Sequence, residues 1–116
     1  MVRESNEVKK EKKVAPFNGI GSITVRSILE GPEELYNKGR VFAHTTVHPG
    51  SKIGYHCHIN ESETYYILSG SGTYNDNGKI TEVHPVYLFF CGAGEGHGIE
   101  ASNEGIEMIE LILYHT

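Results

Sequence analysis

An all-β barrel or sandwich is the fold class this sequence predicts, on three observations. Segments rich in β-branched and aromatic residues recur at even spacing, among them Ser22 to Leu29, Arg40 to His48, Thr64 to Leu68, Val86 to Phe90 and Ile106 to Tyr114. Turn signals separate them: Gly31-Pro32, Pro49-Gly50, Gly70, and Asn77-Gly78, the pair that marks a type I′ hairpin. Almost no stretch carries helical periodicity, and short strands with regular turns and little helix are the pattern of closed or layered β-folds.

The 116 residues suffice for one small domain with a single core. A hydrophobic content of 38% and a charged content of 22% fit a globular chain and exclude disordered or collagenous classes. No apolar run reaches the length of a membrane span, and Met1 to Asn6 lacks the apolar core of a secretory signal, so a cytoplasmic location is the expectation. Cys57 and Cys91 form no Cys-x-x-Cys pair, which argues against a disulfide framework or a thiolate zinc site. Asn60-Glu61-Ser62 matches a glycosylation sequon and reads as a chance match. Residues 1–13 carry five Lys or Arg against three Glu, net +2, within a chain of net charge −5, so the body is acidic and unsuited to a broad nucleic-acid footprint. The run Lys9-Lys10-Glu11-Lys12-Lys13 reads as a solvated, mobile tail. Residues 1–16 are therefore expected to be a tail, or a strand exchanged in a dimer, ahead of a domain over 17–116.

Along the domain, Ser22 to Leu29 predicts a strand, and Pro32 to Tyr36 one helical turn with Pro at its start and acids in its first turn. Arg40 to His48 predicts a second strand with two unlike faces: Val41, Ala43, Thr45 and Val47 on one, Phe42, His44, Thr46 and His48 on the other. If the second face lines a cavity, His44 and His48 can touch a substrate; if it meets solvent or a partner chain, they are surface residues. Lys79 to Val83 is the return strand of the Asn77-Gly78 hairpin. The glycines at 92, 94, 96 and 98 invite a phosphate-loop reading, yet no Lys-Ser or Lys-Thr and no helix follows them. They predict a tight turn returning His97 to the barrel.

Chemistry concentrates between Gly50 and Gly70. His56 and His58 lie two apart, so on a strand both imidazoles point to one side, and Glu63 opens the next strand. Two neighbouring strands can thus bring three ligands to one cation. Glu61 has the parity of Glu63 and is the alternative carboxylate, placed in the turn. Cys57 alternates to the opposite face, where it is expected to pack as a small hydrophobe.

The spacing of Gly50, His56, His58, Glu63 and Gly70 resembles the first signature motif of the cupin superfamily with each fixed position filled. Gly94-Glu95-Gly96-His97 resembles the Gly-x-x-His core of the second motif. Elsewhere that motif departs: Val86-Tyr87 stands for its opening Gly-Asp, Gly92 for its Pro, and Ala101 for its terminal Asn, with Asn103 two residues late. The resemblance covers residues 20–114. It implies a conical, jelly-roll β-barrel with one divalent metal ion held by His56, His58, Glu63 and His97 inside the wider end, and a homodimer formed through sheet edges, with the segment around Val14-Ala15-Pro16-Phe17 crossing to the partner.

Three imidazoles and a carboxylate suit Fe, Mn, Ni, Zn, Co or Cu alike. With one carboxylate the inner site keeps a charge near +1, which favours a small anionic or hydroxyl-rich ligand: a carboxylate, an enediol or a sugar. Tyr65, Tyr55 or Phe90 can line such a site or belong to the core. The ion can act as a Lewis acid in isomerase, lyase or decarboxylase chemistry, or as Fe²⁺ in a dioxygenase. The third reading is a non-catalytic small-ligand or sugar-binding module. His44, His48, Tyr65 and Glu95 are the candidate proton carriers. Loss of His56 or His97 is expected to remove metal without unfolding the barrel.

Overall fold

The computed structural model describes residues 1–115. Eight strands make one antiparallel barrel: β1 (Lys10–Val14), β2 (Ser22–Leu29), β3 (Gly39–Val47), β4 (Lys52–Cys57), β5 (Glu61–Asp76), β6 (Lys79–Val83), β7 (Leu88–Cys91) and β8 (Gly96–Tyr114). Among the described residues one short α-helix, α1 (Gly31–Glu34), follows β2, beside 3-10 turns at Ser5–Glu7 and Pro16–Asn18, so the predicted turn of helix is present and starts one residue early. The strand order is β1-β2-β3-β8-β5-β6, with β4 also paired to β8 and β7 to β5. The expected β-barrel of jelly-roll type is therefore the observed architecture.

Two long strands give the barrel its shape. β5 and β8 pair from Glu61↔Tyr114 to Asp76↔His97, with register shifts between Ile67 and Ser69 and between Gly70 and Gly72. Gly70 and Gly105 meet at this bend with positive φ, +93° and +73°. A Cβ on Gly70 would strike the Gly105 carbonyl, so only glycine lets the strands cross there. Beyond the bend β8 leaves β3 and takes β4 as its neighbour, which carries His56 directly opposite His97.

Alternation fills the interior. Val47, Ile67, Ile99, Ile106 and Met108 are fully buried, each contributing about 1.5–3 kcal/mol by leaving water. The Asn77-Gly78 hairpin joins β5 and β6 with positive φ at both residues, as a type I′ turn requires. β7 begins at Leu88, because Pro85 and Val86 form the preceding turn, closed by Tyr87 N–H on the His84 carbonyl at 3.2 Å.

Two expectations are corrected. The Lys9–Lys13 run is no mobile tail: residues 10–14 pair with Ser22–Arg26 as edge strand β1 of the same chain. All five residues are exposed, so backbone pairing rather than side-chain burial holds the strand. Cys57 faces away from the barrel interior as alternation requires, but it is exposed instead of packed.

Candidate metal centre

His56, His58, Glu63 and His97 converge on one point, each offering a ligand atom within 4.8 Å of the others. β4 carries His56, the turn after it His58, β5 Glu63 and β8 His97. Backbone bonds fix the turn: His58 N–H donates to the Glu95 carbonyl at 3.0 Å, and Gly94 N–H to the His58 carbonyl at 2.7 Å. The glycine-rich loop thereby holds His58 and His97 together.

Three ligand atoms form a tight triangle. His58 Nε2 and His97 Nε2 lie 3.0 and 2.9 Å from Glu63 Oε1 and 3.1 Å from each other. His56 Nε2 lies 3.9 Å from the same oxygen. Two donors each about 2.1 Å from a common ion and at right angles are about 3 Å apart, so the spacing fits a divalent cation.

The other ring nitrogens are engaged by protein oxygens. His56 Nδ1 bonds the Gly54 carbonyl at 2.8 Å, His58 Nδ1 the Glu61 carboxylate at 2.7 Å, and His97 Nδ1 the Tyr74 hydroxyl at 2.8 Å. With the proton on Nδ1 each ring turns a bare Nε2 inward, the tautomer a metal needs. Glu61 is itself held by Arg40 in a two-point pair at 2.8 and 2.7 Å. It orients His58, and Glu63 is the carboxylate in the cluster.

Burial and charge shape the titration of the group. Burial opposes ionisation of Glu63, but imidazoles that carry a proton on Nε2 in the metal-free cluster outweigh it and hold the carboxyl well below its usual range; with the protons on Nδ1 alone, a cation takes that place. Bonding to Glu63, and then to Glu61, raises His58, whereas burial lowers His97. Glu110 adds a second buried acid. It accepts a bond from the Thr45 hydroxyl, and burial followed by the nearness of Glu63 pushes it up to about 8.

A cavity of about 90 Å³ opens beside the cluster, walled by His56, His58 and Glu63, by Tyr65 and Glu110, and at its mouth by Lys13, Phe17 and Arg40. The Phe17 ring stacks on His56 with centroids 3.8 Å apart. Of the candidate proton carriers only Tyr65 lines this space; it is fully buried, and burial raises its hydroxyl well above the usual value. His44 and His48 face outward from β3, bonded to Glu107 at 2.7 Å and Thr24 at 2.8 Å. The outer-face alternative holds, and neither reaches the cluster. Glu95 sits in the loop, accepting bonds from Gly92 N–H and Asn77 Nδ2, outside the cavity. Tyr55 and Phe90, offered as lining, are half exposed and absent from the wall.

Sequence reasoning missed Glu110, Lys13, Phe17 and Arg40. A signal existed for Glu110, which shares parity with Ile106, Met108 and Ile112 and is thus a charge in a core-facing file. The other three come from segments distant in sequence, and pairing alone assembles them.

Comparison with known proteins agrees with this architecture. The Cupin domain family model matches residues 43–113. An oxalate-binding protein of Thermotoga maritima is 36% identical over 114 residues, 97% of this chain and 93% of that protein. A crystal structure from Thermotoga maritima described as a predicted oxalate decarboxylase superposes with a TM-score of 0.90 at 36% identity, covering 98% of this chain and 99% of that one. KdgF from Halomonas sp. shares the fold at a TM-score of 0.75 and 16% identity, covering 100% of this chain and 96% of that one. The chain belongs to the cupin family.

Proposed function

We propose that this protein binds one divalent metal ion at His56, His58, Glu63 and His97 and, through it, a small carboxylate of the oxalate class. The observation that carries the reading is the triangle of His58 Nε2, His97 Nε2 and Glu63 Oε1, all lone-pair bearers about 3 Å apart when the protons sit on Nδ1. Such crowding of acceptors is relieved by a shared cation. The bound ion would act as a Lewis acid towards a coordinated carboxylate. Ile53, Tyr65 and Ile112 line the adjacent cavity and exclude water around the ligand, and its volume of about 90 Å³ suits only a few heavy atoms. The relatives described as oxalate-binding and as a predicted oxalate decarboxylase point to the same ligand class.

The test is calorimetric titration of oxalate into protein loaded with Mn²⁺ or Zn²⁺ and into the metal-free form. Metal-dependent oxalate binding supports the reading, and its absence in every metal form overturns it. A second reading, decarboxylation of the ligand, is favoured by the description of the solved relative and is tested by metal-dependent release of CO₂ from oxalate.

The same reading takes the protein as a homodimer. The outer face of β7, β5 and β8 sets Leu88 beside Tyr66 and Ile109, with Phe90 and Leu111 flanking Thr64. Tyr66, Leu68, Leu88, Phe90 and Leu113 are each 40–61% exposed. Together they present on the order of 500 Å² of apolar surface, more than half of the ~800 Å² that one partner gives a standard interface. A second copy, offering the same apolar face, is the occupant proposed, and a monomer at micromolar concentration on a sizing column would contradict it.

A further inference from the structure

Lys13 is the cation of the cavity wall that takes part in no ion pair among the described residues. Arg40 is committed to Glu61 at two points, and the three imidazoles face the cation site. Lys13 lines the cavity from the mouth side. Its register explains how: in β1 it lies opposite Ile23, a core residue of β2, so its side chain leaves the strand on the barrel side. Its neighbour Lys12, opposite Thr24, leaves on the outer side.

The segment that carries Lys13 is fastened across the mouth. After β1 the chain turns through Ala15, Phe17 and Asn18, each with positive φ near 50°, and Phe17 lands on His56. Three non-glycine residues in the left-handed region cost energy that surrounding contacts must offset. Those contacts are specific, for Gly54 packs against the Phe17 carbonyl so closely that a Cβ could not fit. The turn holds β1, and with it Lys13, over the cavity.

Charge then decides the ligand. Arg40 and Glu61 cancel, and a divalent ion with Lys13 outweighs Glu63 and Glu110 even when both acids are ionised. The cavity keeps a net positive charge divided between the ion at its base and Lys13 at its mouth. Resting on the small-carboxylate reading above, we infer that Lys13 is the residue that selects a dianion, its ammonium facing the second negative group of a ligand whose first is on the metal. A second carboxylate of a two- or three-carbon acid is the group this ammonium would pair with; a neutral hydroxyl or a monoanion leaves it without a partner.

The experiment compares wild type, Lys13→Met and Lys12→Met, each loaded with Zn²⁺ and checked for equal metal content. Oxalate and glyoxylate, of similar size but two charges and one, are titrated by calorimetry. The expected result is a fall of about tenfold in oxalate affinity for Lys13→Met, with glyoxylate changed less than about twofold and Lys12→Met matching wild type. Unchanged oxalate affinity in Lys13→Met, an equal loss for glyoxylate, or an equal loss in Lys12→Met would each overturn the assignment. Failure of wild type to bind either acid is a separate result, which removes the carboxylate reading and the role of Lys13 with it.

Discussion

Phe17 lies flat on His56, the two rings 10° from parallel with centroids 3.8 Å apart, although 39 residues separate them in the chain. The contact fixes the only one of the four cluster residues that is not fully buried. With its Nδ1 held by the Gly54 carbonyl and its face by Phe17, the imidazole keeps Nε2 turned towards Glu63. Stacked ring pairs contribute about 0.5–1.5 kcal/mol, so Phe17→Ala is expected to weaken metal binding by about 3- to 10-fold. Titration against a chelator of known affinity measures this, and the barrel should stay folded because Phe17 is half exposed.

Glu61 supports the site from outside. Its carboxylate joins His58 Nδ1 to Arg40, and such outer partners of a ligating histidine commonly carry 10- to 100-fold in metal affinity. Glu61→Gln should fall in that range while the thermal midpoint of the metal-free protein changes little. An unchanged chelator titration would show that His58 needs no such support.

What the sequence disclosed follows from which interactions are local. His56 and His58 share a face by strand parity and Glu63 opens the next strand, so these ligands were legible, and His97 was legible through the resemblance. Lys13 and Phe17 reach the cavity because β1 folds onto β2 and the following turn lands on β4, and Arg40 because β3 pairs with β8, all contacts between distant segments. β1 itself was illegible for a physical reason: a strand held by backbone bonds with every side chain exposed has no apolar alternation to read. His44 and His48 stayed ambiguous because the outer face of β3 also carries Phe42, which mimics a lining.

Val86 is a point of strain. It stands where the resembling motif opens with glycine, and its φ is +72°, a conformation costly for a β-branched residue. Because Val86 is 69% exposed, little packing is lost on truncation. Val86→Gly is expected to stabilise the barrel by about 1 kcal/mol, raising the thermal midpoint by about 4 °C. A lower midpoint would mean that the side chain contributes more than the strain costs.

The N-terminus should respond to acid. Arg3 bonds Glu34 at 3.2 and 2.6 Å and holds its carboxyl below the usual range of about 4.5. A carboxyl lowered on folding stabilises above its unfolded pKa and loses that contribution as pH falls through the folded value. Protection of residues 1–8 from limited proteolysis by an acid-active protease should therefore weaken below about pH 4.5, and Glu34→Gln should show weakened protection against a neutral-active protease already at neutral pH.

The most direct test of the metal centre is elemental analysis of protein purified without added metal or chelator, beside His56→Ala. His56 is the better control than His97, which is fully buried, bonded to Tyr74 and stacked on Tyr65, so that its truncation opens a hole in the core. Wild type should hold close to one divalent ion per chain, depleted in a folded His56→Ala protein. A wild type that holds no metal and takes none up on reconstitution would contradict the proposed metal site.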